Sequence, residues 1–212
     1  MKNIQMKRLD GITCVFLDVG EVLLSDGWDH LTRRRAAKYF KLDWDEMEAR
    51  HTLVFEVFEQ GKISLDEYLT LVVFYKKQSF SRNQFRNYVF AQSKPYPEMI
   101  ELIARLKIQL ELKIVIVSNE VRELNAYRIN KFKLNRLADC FISSCFVGMR
   151  KPDTDIFRLA LDIAQVRPEQ AVFIDNTGLF VQIATGMGIH GIVHTDYKST
   201  HIQLSQLGLN VE

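Results

Sequence analysis

The feature that most limits how this chain can fold is a set of short, unbroken apolar runs rich in β-branched and aromatic residues. They cover residues 13–17, 113–117, 140–143, 171–174 and 191–193, and helix-period stretches at 121–133, 153–165 and 179–187 separate the later ones. A strand with no polar face must be covered on both sides, and a parallel sheet with crossover helices does this. The expected fold class is therefore α/β, with a Rossmann-like parallel sheet core. Between the first run and the rest lies a long segment of different rhythm. Helical patterns occupy 31–40, 44–60, 64–74 and 81–90, and Ser64 followed by Glu67 reads as a capping box. Pro95 and Pro97 then break the pattern ahead of another helix at 98–110. The expected organisation is a core domain of residues 1–20 and 94–212 carrying an inserted helical domain of residues 21–93. Linkers near Asp26 and Lys94 join the two.

Composition narrows the function classes. A chain of 212 residues, 47% hydrophobic, can bury a core without disulfides or a structural metal. Lys+Arg 28 against Asp+Glu 26 gives a formal charge of +2, without the basic excess of a nucleic-acid or membrane binder. Cys14, Cys140 and Cys145 are odd in number and lack metal-ligand spacing, so they read as buried thiols in a reducing compartment. Residues 1–10 are polar and basic with no apolar signal core after them, and no run approaches about 18 apolar residues. The expectation is a cytoplasmic enzyme that acts as a monomer or homodimer.

Three of the apolar runs end abruptly in a polar residue: the first in Asp18, the second in Ser118, the fourth in Asp175. In open parallel sheets the ligand crevice lies outside the carboxyl ends of the strands. Each residue alone has an ordinary reading, as a turn former or a helix N-cap. Two carboxylates at one sheet edge, however, repel each other unless a cation intervenes. A hard ion such as Mg²⁺, held by carboxylates, water and a substrate phosphate, removes that conflict. Lys151, in the loop after the strand at 140–143, adds a cation that completes an anion site. Other features read as structural. His190 and His194 flank a strand and stand roughly 13 Å apart, too far to share a metal. Arg33, Arg34 and Arg35 read as a solvated helix face, and Phe55, Phe58 and Tyr68 as packing inside the inserted helices, with one or two free to face a ligand.

The order of these pieces resembles the haloacid dehalogenase-like (HAD) hydrolase superfamily. The motifs are Asp18-Val-Gly-Glu-Val-Leu23, Ser118-Asn119, Lys151-Pro152 and Ile174-Asp175-Asn176, and the insertion after the first looks like the helical cap of its subfamily I. The first motif and the loop from Gly148 to Asp153 look closest to the branch of sugar-1-phosphate phosphatases and epoxide hydrolase phosphatase domains. The resemblance implies a Mg²⁺-dependent phosphatase acting on a small phosphorylated metabolite through an aspartyl-phosphate on Asp18. By it, Asp18, Asp175 and the Gly20 carbonyl hold the metal. Ser118 with the amides of Asn119 and Glu120 binds phosphate at a helix start, and Lys151 neutralises charge.

Two departures stand out. Phosphatases of the family usually carry a second Asp two residues after the nucleophile as general acid and base, and here that position is Gly20. Asn176 replaces the second acid of the last motif. Glu21, Asp26 and Asp29 are the nearby acids that could take over proton transfer; without one, good leaving groups such as aryl, acyl or anomeric phosphates should react far better than alkyl phosphates. Two further readings follow from the same residues: a metal-independent 2-haloacid dehalogenase, and a degenerate member that binds phospho-ligands without turnover.

Overall fold

The computed structural model describes residues 11–211, so the basic segment at 1–10 lies outside the described residues. Strands β1 (Cys14–Leu17), β2 (Lys113–Ser118), β3 (Cys140–Ser143), β4 (Ala171–Asp175) and β5 (His190–Val193) form one parallel sheet in the order β3-β2-β1-β4-β5. β2 and β4 each run one residue beyond the apolar pattern, into Ser118 and Asp175. Pairing is in step across the centre, with Leu17 opposite both Ile116 and Ile174.

Alternate residues of each strand feed two separate cores. Val15, Leu17, Ile114, Ile116, Val172 and Ile174 pack against α5 (Pro97–Leu110) and α10 (Tyr197–Gln206) through Leu102, Ile103, Leu106 and Leu204. Cys14, Phe16, Val115, Val117 and Phe173 pack against α8 (Thr154–Ala164) and α9 (Gly178–Gly186) through Ile156, Phe157, Ala160 and Ala184. Both faces are therefore apolar, which accounts for the unbroken runs. Chain order reverses between β1 and β4, so the crevice opens outside their carboxyl ends. α6 (Arg122–Lys131) and the single turn α7 (Ser144–Val147) line the same edge.

The stretch between β1 and α5 is helical: α1 (His30–Phe40), α2 (Trp44–Glu59), α3 (Leu65–Val72) and α4 (Arg82–Phe90). Capping boxes open both α3, at Ser64 and Glu67, and α4, at Ser81 and Gln84. Its own core gathers Met47, Phe58, Tyr68, Leu69, Val72 and Phe85. The ring of Tyr68 stacks on Phe58 at 4.1 Å. The Tyr68 hydroxyl accepts from Trp28 Nε1 and lies 2.8 Å from His51 Nδ1. Since the hydroxyl proton is left to donate, His51 Nδ1 is the acceptor and its ring is neutral.

Two expectations are corrected here and a third holds. Arg33 is buried, not solvated, because its guanidinium forks onto Glu48 at 2.8 and 2.7 Å; Arg34 and Arg35 are exposed. Cys140 is half-buried, while Cys14 and Cys145 are buried. His190 and His194 do bracket β5, and their rings contact the Glu169 carbonyl and the Thr200 hydroxyl rather than each other. Among the described residues no helix is long and apolar enough to cross a membrane.

Candidate active site

At the central edge the ladder carries one step past β1. Asp18 N donates to the Ile174 carbonyl at 3.0 Å, which sets the Asp18 side chain beside Asp175. Lys151 joins them, its ammonium donating to Asp18 Oδ1 at 2.8 Å and Asp175 Oδ2 at 2.5 Å. Lys151 and Asp175 are each 1% exposed. Burial alone would push the lysine down, but the two carboxylates carry it above the ordinary lysine value. Burial, then the charge of Asp18, raises Asp175. Thr177 N donates to Asp175 Oδ1 and fixes that carboxyl from the other side.

The loop bearing Lys151 is pinned by Asn119, whose side chain donates to the Lys151 carbonyl and accepts from the Lys151 amide, both at 2.9 Å. Ser118 is 1% exposed and its Oγ has no hydrogen-bond partner among the described residues. An orphaned buried hydroxyl costs about 1–3 kcal/mol unless a group from outside the chain meets it. The helical end differs from expectation in detail. α6 begins at Arg122 with Val121 as its cap, so Ser118 is not an N-cap, and the Glu120 amide is taken by Ser144 Oγ at 2.9 Å. Asn119 thus positions the lysine with its side chain, and the Glu120 amide is not free for phosphate.

The three acids near Gly20 take different places. Glu21 is occupied twice, accepting from Asp26 N at 2.8 Å and Tyr96 Oη at 2.9 Å. Asp29 caps α1, accepting from Thr32 N. The Asp26 carboxyl accepts no hydrogen bond from the described residues, and burial with the neighbouring Asp18 charge pushes it up to about 7. Its Oδ1 lies 2.2 Å from the point where a Cβ on Gly20 would stand, and Asp18 Oδ2 is 3.8 Å from that point.

A cavity of about 360 Å³ adjoins this edge, lined by Asp26, Trp28, His51, Phe55 and Glu59 from the insertion and Asn119 and Glu120 from the sheet side. Phe55 faces it, whereas Phe58 and Tyr68 lie in the insertion's core. Contacts that fasten insertion to sheet escape sequence reading. Arg128, 3% exposed, donates to Glu120 Oε1 at 2.6 Å, Ser93 Oγ at 2.9 Å and the Ser25 carbonyl at 3.0 Å. It thus ties both linkers to the segment after β2. Ser144 Oγ donates to the Glu59 carbonyl, Arg150 pairs with Glu59, and Gly61 approaches the Cys145 carbonyl where a Cβ would lie 2.3 Å away. Only an inward helix face and polar linker residues hint at these in the sequence.

Carboxylates paired by a buried ammonium, beside an orphan hydroxyl at a sheet edge, match a known pattern. Residues 12–178 match the haloacid dehalogenase-like hydrolase family. The chain belongs to that family. This HAD hydrolase is 26% identical over 195 residues to chloroplast Flavin mononucleotide hydrolase 1 of Arabidopsis thaliana, covering 90% of this chain and 78% of that protein. It is 38% identical over 69 residues to Bifunctional epoxide hydrolase 2 of Sus scrofa, 32% of this chain and 12% of that protein. It likewise spans only 9% of Acyl-CoA dehydrogenase family member 10 of Mus musculus. In fold, it resembles a HAD family enzyme of Bacteroides thetaiotaomicron solved with magnesium and inorganic phosphate, at a TM-score of 0.72 and 20% identity over 86% of this chain and 93% of that one. L-2-haloacid dehalogenase of Xanthobacter autotrophicus aligns at a TM-score of 0.59 and 18% identity, over 85% and 76%.

Proposed function

We propose that this HAD hydrolase is a phosphatase for a small phosphorylated metabolite, with Asp18 as nucleophile. The observation that carries the reading is the Lys151 ammonium shared by Asp18 and Asp175 beside the unpartnered Ser118 hydroxyl. A carboxylate attacks a phosphate dianion only where positioning and charge neutralisation lower the barrier. Lys151 supplies a fixed positive charge next to the attacking oxygen, and Ser118 Oγ is a donor waiting for a phosphate oxygen. Insertion residues 21–93 act as a cap domain over the core, shielding the reaction and shaping the leaving-group cavity.

The donors fit a hard cation. They are oxygens only, the carboxylates of Asp18 and Asp175 with the Gly20 carbonyl, and among the described residues no group of three or more His, Cys, Asp or Glu is placed to hold a metal by itself. Such a partial set suits Mg²⁺, which keeps several waters and uses few protein ligands. When bound, Mg²⁺ neutralises charge on the phosphate and its attacking carboxylate. Support for the phosphate reading comes from the Arabidopsis relative's name and from the magnesium–phosphate complex of the Bacteroides fold neighbour.

The test is release of inorganic phosphate across a panel of phosphate monoesters, with Mg²⁺ and with EDTA. Chloride release from 2-chloropropionate is run in parallel. Mg²⁺-dependent phosphate release that Asp18→Asn abolishes is the expected result. Chloride release without metal, or no turnover of any ester, overturns it.

A further inference from the structure

A phosphoryl group transferred to Asp18 leaves behind an oxygen that needs a proton, and the residue two positions on from Asp18 is a glycine. Its backbone lies outside the left-handed region, so φ does not require a glycine there. The Asp26 carboxyl instead fills the volume a side chain at position 20 would take, with Oδ1 2.2 Å from the point of a Gly20 Cβ. Asp18 Oδ2, the oxygen not held by Lys151, lies 3.8 Å from the same point. Resting on the phosphatase reading above, we infer that Asp26, entering from the first linker, is the catalytic acid and base of this site.

The alternatives are spent on other work: Glu21 accepts from Asp26 N and Tyr96 Oη, and Asp29 caps α1. The Glu21 contact also holds the backbone of Asp26 in place. Asp26 accepts no hydrogen bond from the described residues, and it lines the cavity where a leaving group would sit. The chemistry balances. As Asp18 Oδ2 forms its bond to phosphorus, the ester P–O bond breaks and the Asp26 carboxyl gives its proton to the departing oxygen, releasing an alcohol. The Asp26 carboxylate then takes a proton from water as that water's oxygen attacks phosphorus. Phosphate leaves Asp18, and Asp26 is protonated again. Because the acid is borne by the linker that also carries the insertion, proton transfer is set by how the insertion seats. Alkyl phosphates become substrates despite the glycine.

The experiment measures kcat/KM at one fixed pH for the full chain with Mg²⁺, over phosphate monoesters graded from 4-nitrophenyl to simple alkyl. Variants are Asp26→Asn, Asp26→Gly, Asp26→Gly combined with Gly20→Asp, and Asp18→Asn. Asp26→Asn is expected to lose about tenfold on 4-nitrophenyl phosphate and on the order of 10³-fold on alkyl phosphates, within the range of general acid catalysis. The double variant, with a carboxyl returned through position 20, should recover at least about tenfold over Asp26→Gly on alkyl esters only. Equal loss on every ester, or no loss, overturns the assignment of Asp26. If Asp18→Asn is dead while Asp26→Asn matches wild type, only this inference falls. If Asp18→Asn turns over like wild type, the phosphatase reading itself falls. The 4-nitrophenyl rate also reports that each Asp26 variant has folded, and circular dichroism reports it for Asp18→Asn.

Discussion

Replacing Lys151 with methionine removes the one charge that stands between Asp18 and Asp175 while keeping a side chain of similar length. The ammonium is 1% exposed and makes two charge-assisted hydrogen bonds, at 2.8 and 2.5 Å. A methionine thioether would lie against the rings of Phe173 and Phe180, now 5.4 and 5.2 Å from the ammonium, so packing changes little. What remains is the electrostatic loss. Removing one partner from a buried ion pair costs about 3–5 kcal/mol, a large part of a typical domain's 5–15 kcal/mol. The loss also depends on pH. Asp175 is already raised by burial and by Asp18, and without the lysine, which lowers it, Asp175 is held further up. A carboxyl with a folded pKa above its unfolded value retains stability at low pH and loses it as pH rises. Urea unfolding followed by circular dichroism, at about pH 5 and about pH 8, measures this. The expected cost is about 3–5 kcal/mol at the higher pH and clearly less at the lower. A cost under about 1 kcal/mol, or one equal at both pH values, would show that Lys151 does not neutralise the two aspartates.

Arg128→Met strands the buried Glu120 and unties both linkers, so it should cost about 3–5 kcal/mol, with Arg128→Lys recovering little of it, read from denaturant midpoints. His51 is lowered to about 4 by burial and then by Arg33, and it is 8% exposed. Its neutral form therefore supports the fold fully above about pH 6.5, and up to about 3 kcal/mol is lost as pH falls toward 4; His51→Gln should flatten that slope in unfolding curves. Gly20→Ala forces its Cβ onto Asp26 and should cost about 1–3 kcal/mol, a cost that Asp26→Gly relieves in a double-mutant cycle.

The sheet was legible because its strands are buried on both faces, and Val15-Phe16-Leu17 or Ile114–Val117 leave no polar position to misread. α10 was not, since Thr200 and Leu204 are its only buried residues and the rest of the helix carries no apolar stripe. Arg33 was misread for a geometric reason: each helical step turns about 100°, so one arginine of three points inward while its neighbours stay wet. Asp18, Ser118 and Asp175 stood out as polar residues where apolar runs stop, and Lys151 as a cation in the loop after another run; the fold brings Lys151 onto both aspartates at one edge. Asp26 was visible only as one acid among three. Its place beside Asp18 depends on how the linker turns, with Glu21 in a left-handed conformation and its carboxylate holding the Asp26 amide. Arg128 carried no signal, because its partners Ser25, Ser93 and Glu120 are scattered along the chain.

The central claim is that a phosphoryl group passes through Asp18. The enzyme is mixed with a substrate ester and Mg²⁺, quenched within a single turnover and reduced with borohydride, which converts an acyl phosphate to a primary alcohol. Peptide mass spectrometry then locates the change. A reduced residue at Asp18, absent without substrate and absent in Asp18→Asn, is the predicted result. Phosphate release with no modification at Asp18, or with modification at another carboxylate, would contradict the account.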